Sequence, residues 1–166
     1  FAFSSVSNLF FTLGSHVDDI IVGAYRYTNN KGRAYVFYGG SSMNNVADVT
    51  MTGESDSDVF GFSVASAGDV NNDGYDDVII GAANNTSSTG RAYIFYGGSS
   101  MDNTVDITVS GESGGDRLGY SVASAGDVNN DGYDDVIVGA YVYGSNKGRA
   151  YIYLGGTSMD STADVT

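Results

Sequence analysis

The stretch DVNNDGYDD occupies residues 69–77 and recurs without a change at residues 127–135. Four of its nine residues are carboxylates (Asp69, Asp73, Asp76 and Asp77), Asn71 and Asn72 add amide oxygens, and Gly74 directly follows Asp73. Like charges at this density repel one another unless a cation sits among them. With Asp69 as position 1, the oxygens of Asp69, Asn71, Asp73, the Tyr75 carbonyl and Asp77 fall at positions 1, 3, 5, 7 and 9, so alternate residues aim at one centre. Gly74 falls at position 6, where the chain must turn sharply and a Cβ is expected to be in the way. Hard oxygen donors on a flexible loop suit Ca²⁺ better than Mg²⁺ or a transition metal. The second copy offers Asp127, Asn129, Asp131, the Tyr133 carbonyl and Asp135, which makes two calcium sites. Asp76 and Asp134 face away in this scheme and receive no metal role. A bare acidic turn is the plain alternative, since Asn, Asp and Gly all suit turns; two copies with the same donor spacing weigh for the metal. An EF-hand would need Glu at position 12 between helices, but Ile80 stands there within a β-branched run, so this loop joins strands.

The loop belongs to a longer repeat. GRAY begins at Gly32, Gly90 and Gly148, and GG at Gly39, Gly97 and Gly155, each at a spacing of 58 residues. Within the second unit four strand-like runs follow one another: FGFSVASAG, DDVIIGA, RAYIFYGG and VDITVSG, separated by Gly, Asn, Asp and Ser. No helix is needed. The last run alternates Val105, Ile107 and Val109 with Asp106, Thr108 and Ser110, as an outer strand with one wet face does. Val78, Ile79 and Ile80 are continuously apolar, and AYIFY carries Ala92 and Ile94 on one face with Tyr93 and Phe95 on the other, so these strands are covered on both sides. Four-stranded antiparallel sheets covered by copies of themselves describe the blades of a β-propeller, an all-β fold. The other repeat architecture, a β-solenoid, has shorter rungs. The expected blades are residues 1–59, 60–117 and 118–166, the last with an incomplete outer strand. Complete propellers have about 4 to 8 blades, so three blades are expected to be completed by further blades of a longer chain or by a homo-oligomer.

FGFSVASAGDVNNDGYDDVIIGAA resembles the FG-GAP repeat, the unit of the integrin α-subunit β-propeller and of many secreted proteins. Phe60-Gly61 matches the FG element and Gly81-Ala82-Ala83 the GAP element, with Ala in place of Pro; in the third unit these become Leu118-Gly119 and Gly139-Ala140-Tyr141. The resemblance implies a propeller, Ca²⁺ in loops between first and second strands, and a role in adhesion or extracellular recognition. The first unit departs from it, because FFTLGSHVDD replaces the loop and keeps only Asp18 and Asp19, so no metal is expected there. Residues 1–16 admit two readings. FAFS can be laid on FGFS with one extra residue, while GSH is a common cloning remnant; FAFSSVSNLFF lacks the basic start of a signal peptide. His16, the sole histidine, is read as a loop residue.

Composition narrows the function. Twenty acidic against seven basic side chains give a net charge of −13, which argues against nucleic acid, since phosphate contacts need Lys and Arg. No apolar run approaches the roughly 20 residues of a membrane span, so no membrane insertion is expected. The absence of Cys excludes disulfides and thiolate sites. The loops after the second strand differ most between units, and Tyr25, Tyr27, Tyr141 and Tyr143 there offer amphipathic contact area for a protein or glycan ligand; filling gaps between blades is the bland alternative. Arg33, Arg91 and Arg149 recur once per unit and read as a repeated structural ion pair or carbonyl contact. NNTS at Asn84 holds overlapping glycosylation sequons. The expectation is an extracellular calcium-stabilised recognition module rather than an enzyme. The alternative is a propeller glycan hydrolase or lyase using paired carboxylates.

Overall fold

A computed structural model of the chain describes residues 5–7 and 17–166. It contains three antiparallel sheets, each running in sequence order. The first comprises β1 (Ser5–Ser7), β2 (Ile20–Ala24), β3 (Arg33–Phe37) and β4 (Val49–Thr52). The second comprises β5 (Ser63–Gly68), β6 (Asp77–Ala82), β7 (Arg91–Phe95) and β8 (Ile107–Ser110). The third comprises β9 (Leu118–Gly126), β10 (Asp135–Ala140) and β11 (Arg149–Tyr153), and Val165 bridges to Ile152 beyond β11. The architecture is that of a partial β-propeller, as the repeat implies. β1 pairs Ser5 with Gly23 as β5 pairs Ser63 with Gly81, so the repeat of 58 extends into the first sheet at Ser5. The readings of residues 1–4 and 8–16, including the placing of FAFS on FGFS, His16 and the lost metal loop, lie outside the described residues.

The sheets stack through two apolar layers. Tyr93 and Phe95 of β7 join Val36, Met51 and Phe60 in the layer against the first sheet. Ala92 and Ile94 join Ala65, Ile79, Val136 and Val138 in the layer against the third. Both faces of the middle sheet are therefore covered, as its unbroken apolar run requires. β8 lies at the sheet edge with Ile107 and Val109 inward and Ser110 outward, as expected, whereas Val105 lies before the strand and is exposed.

Close approach of neighbouring sheets depends on the FG and GAP glycines. Gly119 has φ +79°, and a Cβ on it would overlap the Arg91 carbonyl; a Cβ on Gly81 would overlap the Gly119 carbonyl. The Ser63 hydroxyl donates to that same carbonyl at 2.8 Å. Only glycine combines the left-handed φ with this backbone contact. The FG dipeptide of the second unit does not begin β5, because Phe60 instead bridges in parallel to Gly32 of the first unit. Its role is docking between units.

Where the sequence shows only a loop after each second strand, the structure has a single left-handed turn. Thr28, Asn29 and Asn30 all have positive φ, as do Thr86, Ser87 and Ser88, and Gly144, Ser145 and Asn146. Left-handed residues with a Cβ cost about 1–2 kcal/mol each, so something must hold them. Bonds inside the turn supply a hold: Ser88 N–H donates to the Asn84 carbonyl and Gly90 N–H to that of Asn85, as Asn146 and Gly148 do to Val142 and Tyr143. In the second unit Ser88 O also accepts the N–H groups of Gly115 and Arg117, and Thr89 O that of Leu118, which ties the turn to the segment leading into the following unit.

The far face of the third sheet has no following unit among the described residues. Val70 is fully buried, while its counterpart Val128 is 55% exposed. Gly68 (φ +76°) packs against the Asp134 carboxylate, whereas Gly126 (φ +68°) has open space where a Cβ would sit. This pair is a matched experiment. Gly68→Ala is expected to cost about 1–3 kcal/mol more than Gly126→Ala, the overpacking difference at equal backbone strain, measured by denaturant unfolding.

Candidate calcium loops and recognition surface

Residues 69–77 connect β5 to β6 and residues 127–135 connect β9 to β10. The Asp73 N–H is shared by Asp69 Oδ1 (3.0 Å) and Asn71 Oδ1 (2.9 Å), so these two oxygens are neighbours. Gly74 N–H donates to Asp69 Oδ2 at 2.8 Å, Tyr75 N–H to Asp73 Oδ1 at 2.9 Å, and Asn71 Nδ2 to Asp73 Oδ2 at 3.0 Å. All five bonds recur at Asp127, Asn129, Asp131, Gly132 and Tyr133. The structure thus brings positions 1, 3 and 5 together around a knot of backbone N–H groups. Gly74 and Gly132 have φ +88° and +93°, with nothing near the place of a Cβ. The glycine at position 6 is required by the backbone angle, not by lack of room, which corrects the steric reason drawn from the sequence.

Position 9 is used differently. Asp77 is fully buried and its two oxygens accept the N–H groups of Gly97 (2.7 Å) and Val70 (2.9 Å). Burial pushes its carboxyl up to about 7, against the pull of those two N–H groups and with the Asp73 and Asp69 charges adding to the rise. Asp135 repeats both bonds with Gly155 and Val128. Asp19 holds Gly39 N–H at 2.7 Å in the same way, although its unit lacks the NNDG sequence. This aspartate therefore ties the second strand to the end of the third in all three units. Among the described residues no three His, Asp or Glu side chains are grouped tightly enough to cage an ion by themselves. The donor chemistry nevertheless fits Ca²⁺: every side-chain donor in the loop is a hard oxygen, Asn71 supplies a neutral one, and carboxylate oxygens that already accept one N–H keep further lone pairs.

Asp134 does turn away from its own loop, but to a purpose the sequence did not reveal. Its Oδ2 accepts the Asp69 N–H at 3.0 Å, while its own N–H donates to the Asp69 carbonyl at 3.1 Å.

The four candidate tyrosines separate into two pairs. Tyr27 and Tyr143 lie under the guanidinium groups of Arg33 and Arg149, each 3.8 Å from ring centroid to Cζ, and so serve the blades. Tyr25 and Tyr141 end a row of rings across the three units: Tyr25 to Phe62 at 5.3 Å, Phe62 to Tyr120 at 4.9 Å, and Tyr120 to Tyr141 at 4.1 Å. Arg117 donates to the Tyr141 hydroxyl at 2.8 Å, and the row borders a cavity of about 300 Å³ with Val59 and Asn84. Phe62, Tyr120 and Arg117 escaped the sequence reading. The signal was present, since Phe62 and Tyr120 share one repeat position, but they lie at the strand start rather than in the variable loops.

The profile of the FG-GAP repeat family matches residues 60–95 and 118–153. The chain carries two FG-GAP repeats. It is 32% identical over 151 residues to integrin alpha-5 of Xenopus laevis, covering 83% of this chain and 14% of that protein. It is 34% identical over 128 residues to integrin alpha-6 of Homo sapiens, covering 74% of this chain and 11% of that protein. With integrin alpha pat-2 of Caenorhabditis elegans it shares 33% identity over 160 residues, 86% of this chain and 13% of the relative. The match therefore spans only 11% to 14% of the length of these relatives.

In FG-GAP terms the recurring arginine clamps consecutive repeats. Arg91 pairs with Glu54 of the preceding unit at 2.8 Å and Arg149 with Glu112 at 3.0 Å, which bears out the structural ion pair; Arg33 instead donates to Thr52 at 3.1 Å. Both pairs are partly exposed, so solvent screens them and their weight is in alignment of the units rather than in stability. Of the two sequons, the one beginning at Asn85 is closed in the folded repeat, because Asn85 is buried and donates to the Tyr93 hydroxyl at 3.3 Å.

Proposed function

We propose that this chain is a calcium-binding part of an extracellular, adhesion-type β-propeller, with one ion held by Asp69, Asn71, Asp73, the Tyr75 carbonyl and Asp77 and a second by the equivalent five residues. We take residues 1–59, 60–117 and 118–166 as three blades of that propeller, the ring being completed by further blades of a longer chain or by further copies. The observation that carries the calcium reading is the repetition of the same hydrogen-bond knot, bond for bond, in two loops whose side-chain donors are all oxygen. The kinship with integrin alpha subunits supports the adhesion reading. The ions would hold the loops that join first and second strands, a structural role. Each ion adds two positive charges, so two of them move the formal charge from −13 to −9.

A protein or glycan ligand would meet the row of Tyr25, Phe62, Tyr120 and Tyr141, where Tyr120 and Tyr141 are exposed aromatic anchors. The acidic groups with defined partners mostly accept backbone N–H groups or arginines, which favours binding over paired-carboxylate catalysis. No helix among the described residues is long and apolar enough to cross a membrane.

Calorimetric titration with Ca²⁺ tests the metal reading. The parent is expected to bind two ions, and Asp73→Ala or Asp131→Ala one each; no binding by the parent discards it. On arrays of matrix proteins and glycans, Tyr120→Ala is expected to weaken any captured ligand about tenfold or more. An unchanged signal would move the recognition surface elsewhere.

A further inference from the structure

The two loops are not independent. Asp69, position 1 of the first loop, and Asp134, position 8 of the second, exchange a pair of hydrogen bonds: Asp69 N–H to Asp134 Oδ2 at 3.0 Å, and Asp134 N–H to the Asp69 carbonyl at 3.1 Å. A second connection runs beside it. Val70 N–H holds Asp77, the Val70 carbonyl accepts Gly156 N–H at 2.8 Å, and the adjacent Gly155 N–H holds Asp135. The position-9 aspartates of both loops are thereby joined through three backbone residues. Glycine is required along this path, since a Cβ on Gly155 would overlap the Asp134 carbonyl and one on Gly68 the Asp134 carboxylate.

We infer that Asp134 couples calcium binding in the 69–77 loop to calcium binding in the 127–135 loop, so that filling either raises the affinity of the other. This rests on the calcium reading above. The sign follows from two physical effects. Cations in neighbouring loops repel, but solvent and salt weaken that repulsion at exposed loops. Ordering one loop fixes Asp134 and, through it, the backbone of Asp69, so the second ion meets a loop whose ordering is already complete. The Asp134 carboxylate, shared between the loops, is also drawn to either ion.

The test measures the Ca²⁺ affinity of the 69–77 loop by calorimetry with and without a working partner. Asp131→Ala, which disables the 127–135 loop, is expected to weaken binding at the remaining loop about fivefold or more. In an Asp134→Ala background, which removes the carboxylate bridge but keeps the backbone bonds beside it, the same change is expected to weaken that affinity clearly less. Equal affinity with and without Asp131, or an undiminished effect in the Asp134→Ala background, overturns the coupling and leaves the calcium reading intact. No binding of Ca²⁺ by the parent overturns both. A second measurement does not require Asp134→Ala to fold. In Asp73→Ala protein, where only the 127–135 loop is intact, Ca²⁺ is expected to slow amide hydrogen exchange at Asp69; unchanged exchange there also overturns the coupling.

Discussion

In excess chelator the melting temperature is expected to fall by about 10–20 °C from its value in millimolar calcium, which calorimetric scans measure directly. The size follows from linkage: a site filled at a hundredfold excess over its dissociation constant contributes about 2.7 kcal/mol, and two sites about 5. A chain of this length shifts by about 2–4 °C per kcal/mol. The repulsion that the ions would relieve is visible in the loops. Asp69 and Asp73 both raise the proton affinity of buried Asp77, a strand-tying residue that is best ionised to hold Val70 and Gly97. A melting temperature indifferent to chelator would show that these loops stand without a cation.

Gly119→Ala is the substitution expected to do the most damage to packing between repeats, about 2–5 kcal/mol. About 1–2 kcal/mol comes from a Cβ at φ +79°, and about 1–3 kcal/mol more from forcing it into the Arg91 carbonyl. Gly132→Ala provides the comparison, because φ is +93° but the Cβ position is open, so only the conformational part of about 1–2 kcal/mol applies. Urea unfolding of the two variants at saturating calcium separates these contributions. Equal losses would mean that the contact between FG and GAP elements is not what holds the sheets together.

The sequence disclosed whatever repeats along the chain. The spacing of GRAY and GG marks the units, the alternation of Ile107 with Thr108 the edge strand, and the two-faced AYIFY the covered strand, because hydrophobic period and burial are linked residue by residue. It did not disclose what forms between units. Nothing local in Asp134 says that it will meet Asp69, 65 residues away, and nothing local in Phe62 and Tyr120 says that they will stack into one row. The left-handed turns were hidden for another reason: Thr86 and Ser87 have no preference for positive φ, and the turn is held by backbone bonds that no side chain announces. Val70 and Val128 show the limit most plainly, since they occupy identical sequence surroundings and differ only in whether another sheet lies against them.

The arginine clamps reach from one unit to the next over a constant interval, 37 residues for Arg91 with Glu54 and again for Arg149 with Glu112. A tandem duplication or excision of 58 residues thus reunites every clamp with a partner, wherever in the unit the breakpoints happen to fall. An insertion within the span between the two residues changes that interval and strands a charge on either side. Growth of such an array by ragged recombination is consequently forgiving of where it cuts and strict about how much it copies.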